Sequence, residues 1–140
     1  MDVAVVVRHG TLARHAPLAH SLGLVVMLFG LSFLFPLAVS HALGDGAEAA
    51  YDEAIAITVG AGAALWLVSR RHRAELALRD GFLLVVLVWT GLAGFATLPL
   101  LFYIEGLSFT DAYFEAISGM TTTGATTLTG LDRLPPSINL

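Results

Sequence analysis

Two long runs without a single Asp, Glu, Lys or Arg, residues 17–43 and 81–104, constrain this chain more than anything else in it. A bilayer core of about 30 Å takes about 20 helical residues to cross, and backbone polar groups inside it must be satisfied within the helix. Both runs are long enough. A third charge-free run, residues 54–69, is shorter, and Arg70 and Arg71 at its end can carry their charges to the interface and extend its reach. With 56% hydrophobic and 13% charged residues, the chain is far from the composition of a soluble domain. The expected class is an all-α integral membrane protein with three transmembrane helices. Small-residue sites at Ala38-Val39-Ser40 and Ser40-His41-Ala42 would suit signal-peptide cleavage, but the first run exceeds the usual apolar region of about 7–15 residues, so an uncleaved anchor is expected.

The charges outside these runs set an orientation. Arg8 and Arg14 precede the first span, and Arg70, Arg71, Arg73 and Arg79 crowd the connection between the second and third. The connection after the first span carries Asp45, Glu48, Asp52 and Glu53 and no Arg. By the positive-inside rule the N-terminus and the Arg-rich connection are cytoplasmic and residues 44–53 are outside. The third span then exits outward. This predicts a multi-pass protein of the cell (inner) membrane with its N-terminus in the cytoplasm. The absence of lysine and the net charge of −4 argue against a nucleic-acid surface. No cysteine is present, which excludes disulfides, thiolate metal sites and cysteine nucleophiles within the chain. No glycine-rich phosphate loop occurs either, and no cofactor is expected.

Within the spans, small residues mark where helices approach closely. Ala56, Gly60 and Ala64 recur at four-residue intervals and read as the contact face of the second span, with Gly62 and Ala63 nearby; Gly91 and Gly94 share one side of the third. Pro36 and Pro99 should bend their helices. His20 and His41 lie near the ends of the first span and have no ligand role.

The chemistry lies after the third span. Ser108-Phe109-Thr110-Asp111 offers a helix start, with Ser108 or Thr110 as cap and Asp111 in the first turn. The helix ends near Ser118-Gly119, too short to span, so it must enter the membrane and turn back. Its negative dipole end would then favour a cation. Glu105, Asp111 and Glu115 read as a solvated acidic surface or as a negative outer mouth. The turn that follows, Thr121-Thr122-Thr123-Gly124-Ala125-Thr126, is rich in oxygen and carries a glycine that frees the backbone to aim carbonyls inward. Taken alone, the same residues would suit a polar loop or an edge strand.

From Phe109-Thr110-Asp111 through Phe114-Glu115-Ala116 and Ser118-Gly119 to Thr122-Thr123-Gly124-Ala125-Thr126, the sequence resembles the first pore loop of Trk-type potassium-uptake proteins, the TrkH family of the Trk/Ktr/HKT superfamily. In that family one polypeptide carries four repeats of helix, pore loop and helix. The resemblance implies a re-entrant pore helix and filter loop, with the central filter glycine at Gly124 and carbonyl donors at Thr122, Thr123 and Ala125. It implies potassium as the transported ion, this chain supplying one quarter of the selectivity filter.

It also divides the chain into a cytoplasmic N-terminus (1–16), an accessory transmembrane pair (17–69), a cytoplasmic connection (70–80) and the first half of pore repeat one (81–140). The implied partners are the remaining pore repeats, a second copy in a homodimer, and a cytoplasmic nucleotide-binding regulatory subunit. Because Pro135-Pro136 and Leu140 come before any second helix of the repeat, an N-terminal fragment is expected. Two other functions are open. One is a noncatalytic membrane anchor or assembly subunit. The other is an intramembrane serine hydrolase, since Ala116-Ile117-Ser118-Gly119 is similar to the G-x-S-G motif of rhomboid proteases, although the histidines lie far away in sequence.

Overall fold

Five α-helices follow one another in the computed structural model, which describes residues 3–70 and 78–140, the side chains of 3–15 and of Leu78 excepted. They are α1 (Val3–Ser32), α2 (Leu34–Leu43), α3 (Glu48–Ser69), α4 (Leu78–Tyr103) and α5 (Phe109–Met120), with one 3-10 turn at Leu131–Arg133. Arg71 and Arg73 of the Arg-rich connection, and the side chains of Arg8 and Arg14, lie outside the described residues. Three spans are long and apolar enough to cross a membrane: Ala16–Leu43, Glu48–Ser69 and Arg79–Tyr103.

The first span is broken near its middle. Pro36 has no N–H to give the carbonyl of residue 32, and the chain tightens there, with the Phe33 N–H bonding Gly30 O at 3.3 Å before Leu37 N–H resumes on Phe33 O at 3.0 Å. Pro99, by contrast, sits inside a continuous α4. The break between α1 and α2 leaves Phe33 inward, where it packs with Ala47, Tyr51 and Ala54 as the core at the α2–α3 corner. Phe29, Leu37, Ile55, Leu98, Tyr103 and Ile138 complete that cluster.

The second span begins at Glu48 rather than at Ala54, which gives it the length to cross a membrane, although it is the least apolar of the three. Asp52 and Glu53 are helical residues near the N-terminus of α3, where the dipole favours negative charge, so their charge does not mark the start of the helix. Its contact face also differs from expectation. Ala56, Gly60 and Ala64 are exposed, whereas Ala50, Tyr51, Ala54, Thr58, Gly62 and Ser69 are buried. The true face is offset by two residues from the expected one, which at about 100° per residue is the opposite side of the helix.

The partner explains the choice. α1 offers Gly23 and Gly30, and a Cβ on Gly62 would stand 2.7 Å from Met27 Cγ and 2.8 Å from Gly23 O. Reciprocally, a Cβ on Gly23 would stand 2.8 Å from Gly62 O and from Trp66 N. The two backbones touch at paired glycines, as in small-residue membrane packing. A Cβ at Gly60, Gly91 or Gly94 would meet nothing within 4 Å, so the contact sides expected at these glycines are not found. In α4 the buried positions are Leu92, Ala93, Thr97 and Pro99.

α4 leads into α5 through a short turn in which Gly106 takes a φ of 78°. α5 packs back on α4, burying Ala112 and Ala116, and the Tyr113 hydroxyl donates to Thr90 O at 3.2 Å. Apolar side chains such as Leu28, Val68 and Phe82 remain exposed on the surface of the chain. At the opposite end Arg70 lies over the Trp66 ring at 5.9 Å, and Arg79 pairs with Asp80 at 3.7 Å.

Candidate functional site

α5 and the limb that follows it gather polar chemistry against an apolar scaffold. Ser108 is the cap: its Oγ accepts the Asp111 N–H at 3.1 Å and donates to Asp111 Oδ2 at 2.7 Å. Asp111 is therefore spent on starting the helix, where its charge also faces the positive dipole end. Asp111 and Glu115 hold different partners, Asp111 at the helix start and Glu115 in the threonines beyond the helix end.

At its far end α5 stops in the threonines. Thr121 N–H bonds Ile117 O at 2.9 Å, Thr122 N–H bonds Gly119 O at 3.0 Å, and Thr123 N–H bonds Ser118 O at 2.9 Å. The Thr121 hydroxyl adds a bond to Ile117 O at 2.8 Å. The carbonyls of Ile117, Ser118 and Gly119 are thus satisfied by the first donors of the loop. Thr122 has a φ of 56°, the single described non-glycine residue with positive φ, and Gly124 has a φ of 73°. A β-branched residue in the left-handed region is strained, and such strain persists only where the surroundings hold it.

Thr122, Thr123, Gly124 and Ala125 are consecutive and exposed. Among the described residues, the carbonyl oxygens of Thr122, Thr123 and Gly124 accept no hydrogen bond, while that of Ala125 accepts the Ser118 hydroxyl at 2.6 Å. A carbonyl has two lone pairs, so Ala125 keeps one free.

For two residues of the site the sequence does not disclose the role. Glu115 Oε1 accepts from Thr126 Oγ1 at 2.9 Å, Thr127 Oγ1 at 3.0 Å, Leu128 N–H at 3.3 Å and, at shorter range, Thr127 N–H. Ser118, one turn further along α5, supplies both its carbonyl to Thr123 and its hydroxyl to Ala125. Their signal in the sequence is slight: an acceptor and a hydroxyl three residues apart, ahead of a threonine run that must place its donors somewhere. Ser118 as a hydrolytic nucleophile has no support, since its hydroxyl is committed to Ala125 and no histidine hydrogen-bonds it among the described residues.

Beyond the limb, residues 131–140 fold back to the corner of the α2–α3 hairpin. Gly44 and Gly46 turn that corner with φ of 61° and 85°. Asp45 Oδ1 accepts from Ser40 Oγ at 2.5 Å and Ala47 N–H at 3.3 Å, and its Oδ2 accepts from Ser137 N–H at 3.1 Å. Desolvation works against the Asp45 charge, but the hydrogen bonds from Ser40, Ser137 and Ala47 outweigh it and hold the carboxyl down at about 2. A cavity of about 600 Å³ separates this tail from the limb, bordered by Phe35, Pro99, Ala116, Gly124, Leu131 and Leu140.

A family model described as TrkH, cation transport protein, matches residues 48–140. The Trk system potassium uptake protein TrkH of Halomonas elongata is 48% identical over 118 residues, which is 84% of this chain and 24% of that protein. TrkH of Escherichia coli K12 is 44% identical over 117 residues, 83% of this chain and 24% of its own length. The crystal structure of the potassium transporter TrkH from Vibrio parahaemolyticus superposes with a TM-score of 0.81 at 41% identity, over 88% of this chain and 26% of that one. The chain spans about a quarter of the length of the curated relatives it matches.

Proposed function

This chain belongs to the TrkH family of cation transport proteins, and from that premise we propose that it supplies one quarter of a potassium selectivity filter. In this reading α5 is a re-entrant pore helix, its C-terminal end directed to the membrane centre, and the limb 122–125 is the filter strand. Potassium sheds its water and is held by backbone carbonyls of Thr122, Thr123, Gly124 and Ala125, the last shared with Ser118. The observation that carries the reading is the strained Thr122 two residues before Gly124, on an exposed strand with three carbonyl oxygens left free by the protein. Carbonyl oxygens that the chain itself leaves unpaired are free to take the place of an ion's water, and the negative end of α5 suits a cation.

The other three filter strands and the second helix of the repeat belong to the rest of a longer transporter. Residues 17–69 are then the accessory pair and 81–140 the first half of pore repeat one, with 1–16 and 70–80 on the cytoplasmic side of the cell (inner) membrane. Potassium is the substrate and no resident cofactor is involved. Homodimerisation and a nucleotide-binding regulatory subunit follow from family resemblance.

The test is a chimaera in which this chain replaces the matched segment of the H. elongata relative. Produced in cells deficient in potassium transport, it should restore potassium uptake in preference to sodium. A chimaera that inserts in the membrane but moves no ion would favour the noncatalytic anchor.

A further inference from the structure

Within this chain the limb 121–127 is exposed along its whole length and has a cavity behind Gly124 and Ala125, so side-chain packing from the chain's own helices does little to hold its shape. Its shape is set by two residues of α5. Ser118 fixes Thr123 and Ala125, on either side of Gly124. Glu115, one turn earlier, gathers Thr126, Thr127 and Leu128 onto a single oxygen, Oε1. Four donors converging on one acceptor call for the negative charge of a carboxylate, because charge-assisted hydrogen bonds are about twice as strong as neutral ones. The Leu128 N–H also reaches Thr126 Oγ1 at 3.0 Å, so the turn after the strand closes around the same carboxylate.

We infer that Glu115 is a positioning residue for ion discrimination, which pins the limb just beyond Ala125 and so holds the spacing of the carbonyls of residues 122–125. This rests on the reading of those residues as filter strand. Glu115 does not touch the ion. A carbonyl cage prefers potassium through the size of the cage or the number of oxygens it presents, and either property is lost when the strand can shift. Thr122 in its strained conformation makes the need sharper, since without an anchor on each side of Gly124 the backbone would relax out of the left-handed region. Ser118 holds the strand directly and Glu115 keeps its outer end from drifting.

Two measurements test this. In the chain itself, in detergent, amide exchange at Thr127 and Leu128 should speed up by about tenfold or more in Glu115→Ala, the loss expected for a charge-assisted hydrogen bond, and by less in Glu115→Gln, which keeps an acceptor oxygen. Unchanged exchange at both amides overturns the brace, whatever the filter does. In the chimaera, the ratio of potassium to sodium uptake, corrected for protein in the membrane, should fall in Glu115→Ala, fall less in Glu115→Gln, and fall measurably in Thr127→Val, which removes one hydroxyl donor and keeps the carboxylate. If Glu115→Ala does not accumulate, Thr127→Val decides the matter. Gly124→Ser is the reference: loss of discrimination there with none in the Glu115 and Thr127 variants sinks the role of Glu115 alone, whereas full discrimination in Gly124→Ser sinks the filter reading beneath it.

Discussion

The Tyr51 hydroxyl donates to the carbonyl oxygen of Ser137 at 2.6 Å, joining the start of α3 to a residue 86 positions later. The bond is buried, and Asp45 reaches the N–H of the same residue, so both backbone groups of Ser137 are held by the α2–α3 hairpin. The hairpin lies early in the chain and the tail follows the candidate filter strand. Helices that precede the strand therefore anchor the tail that follows it.

Replacing Tyr51 by Phe should cost about 1–3 kcal/mol, because the Ser137 carbonyl would be left buried without a donor while the ring contact with Phe33 survives. Thermal unfolding in detergent measures this. An unchanged midpoint would show that the bond contributes nothing to docking of the tail.

Asp45 makes the same docking sensitive to acid. Its carboxyl lies at about 2 against an ordinary 3.8, so the folded form holds its proton less tightly than the unfolded form. The stabilisation is complete above 3.8 and drains away as pH falls from there through 2. Amide exchange at Ser137, corrected for its intrinsic pH dependence, should rise across that window. Asp45→Asn should remove the dependence, and a variant that keeps it would place the titrating group elsewhere.

Gly62 and Gly60 should respond in opposite ways to the same change. Leucine at Gly62 drives a side chain into the backbone of α1 at Gly23 and should cost at least about 1–3 kcal/mol, with loss of protease resistance. Leucine at Gly60 meets open space and should fall within about 0.5 kcal/mol of the parent in this chain. Equal effects at both positions would contradict the paired-glycine contact.

These two glycines also show what the sequence could and could not disclose. The three spans, the short capped helix and the threonine turn were legible because each follows from local length, charge and capping chemistry. Ser108 over Thr110 as cap needed only the geometry of one turn. The contact face of α3 was not legible, since small residues recur at four-residue spacing on two opposite sides and only α1 decides between them. Glu115 escaped for a related reason. Its spacing from Asp111 is a helix-face pattern, yet one carboxylate serves the helix start and the other serves a strand that returns from beyond the helix end.

The orientation carried by the charge asymmetry can be read with single cysteines, because the chain has none of its own. Gly46→Cys, at the exposed corner between α2 and α3, should react with an impermeant thiol reagent in intact cells. His72→Cys, which lies outside the described residues, should react only after permeabilisation. Labelling of His72→Cys from outside would invert the topology.

Thr122 and Gly124 give the sharpest test of the strand, because one residue carries strain that the other avoids. Both have positive φ, and a left-handed conformation costs an L side chain roughly 1–2 kcal/mol. Thr122→Gly should therefore stabilise the isolated chain by about 1 kcal/mol or leave it unchanged. Gly124→Ala should destabilise it by a similar amount, and from backbone strain alone, since a Cβ there meets nothing within 4 Å. In the chimaera the two changes should converge. Gly124→Ala should lower potassium uptake or its preference over sodium by restricting the backbone, and Thr122→Gly should lower the preference by letting the strand relax. Thr129→Ala, beyond the Glu115 contacts, should matter less than either. A Thr122→Gly chimaera that gains stability and keeps full discrimination would show that the strain at Thr122 serves no purpose in ion selection.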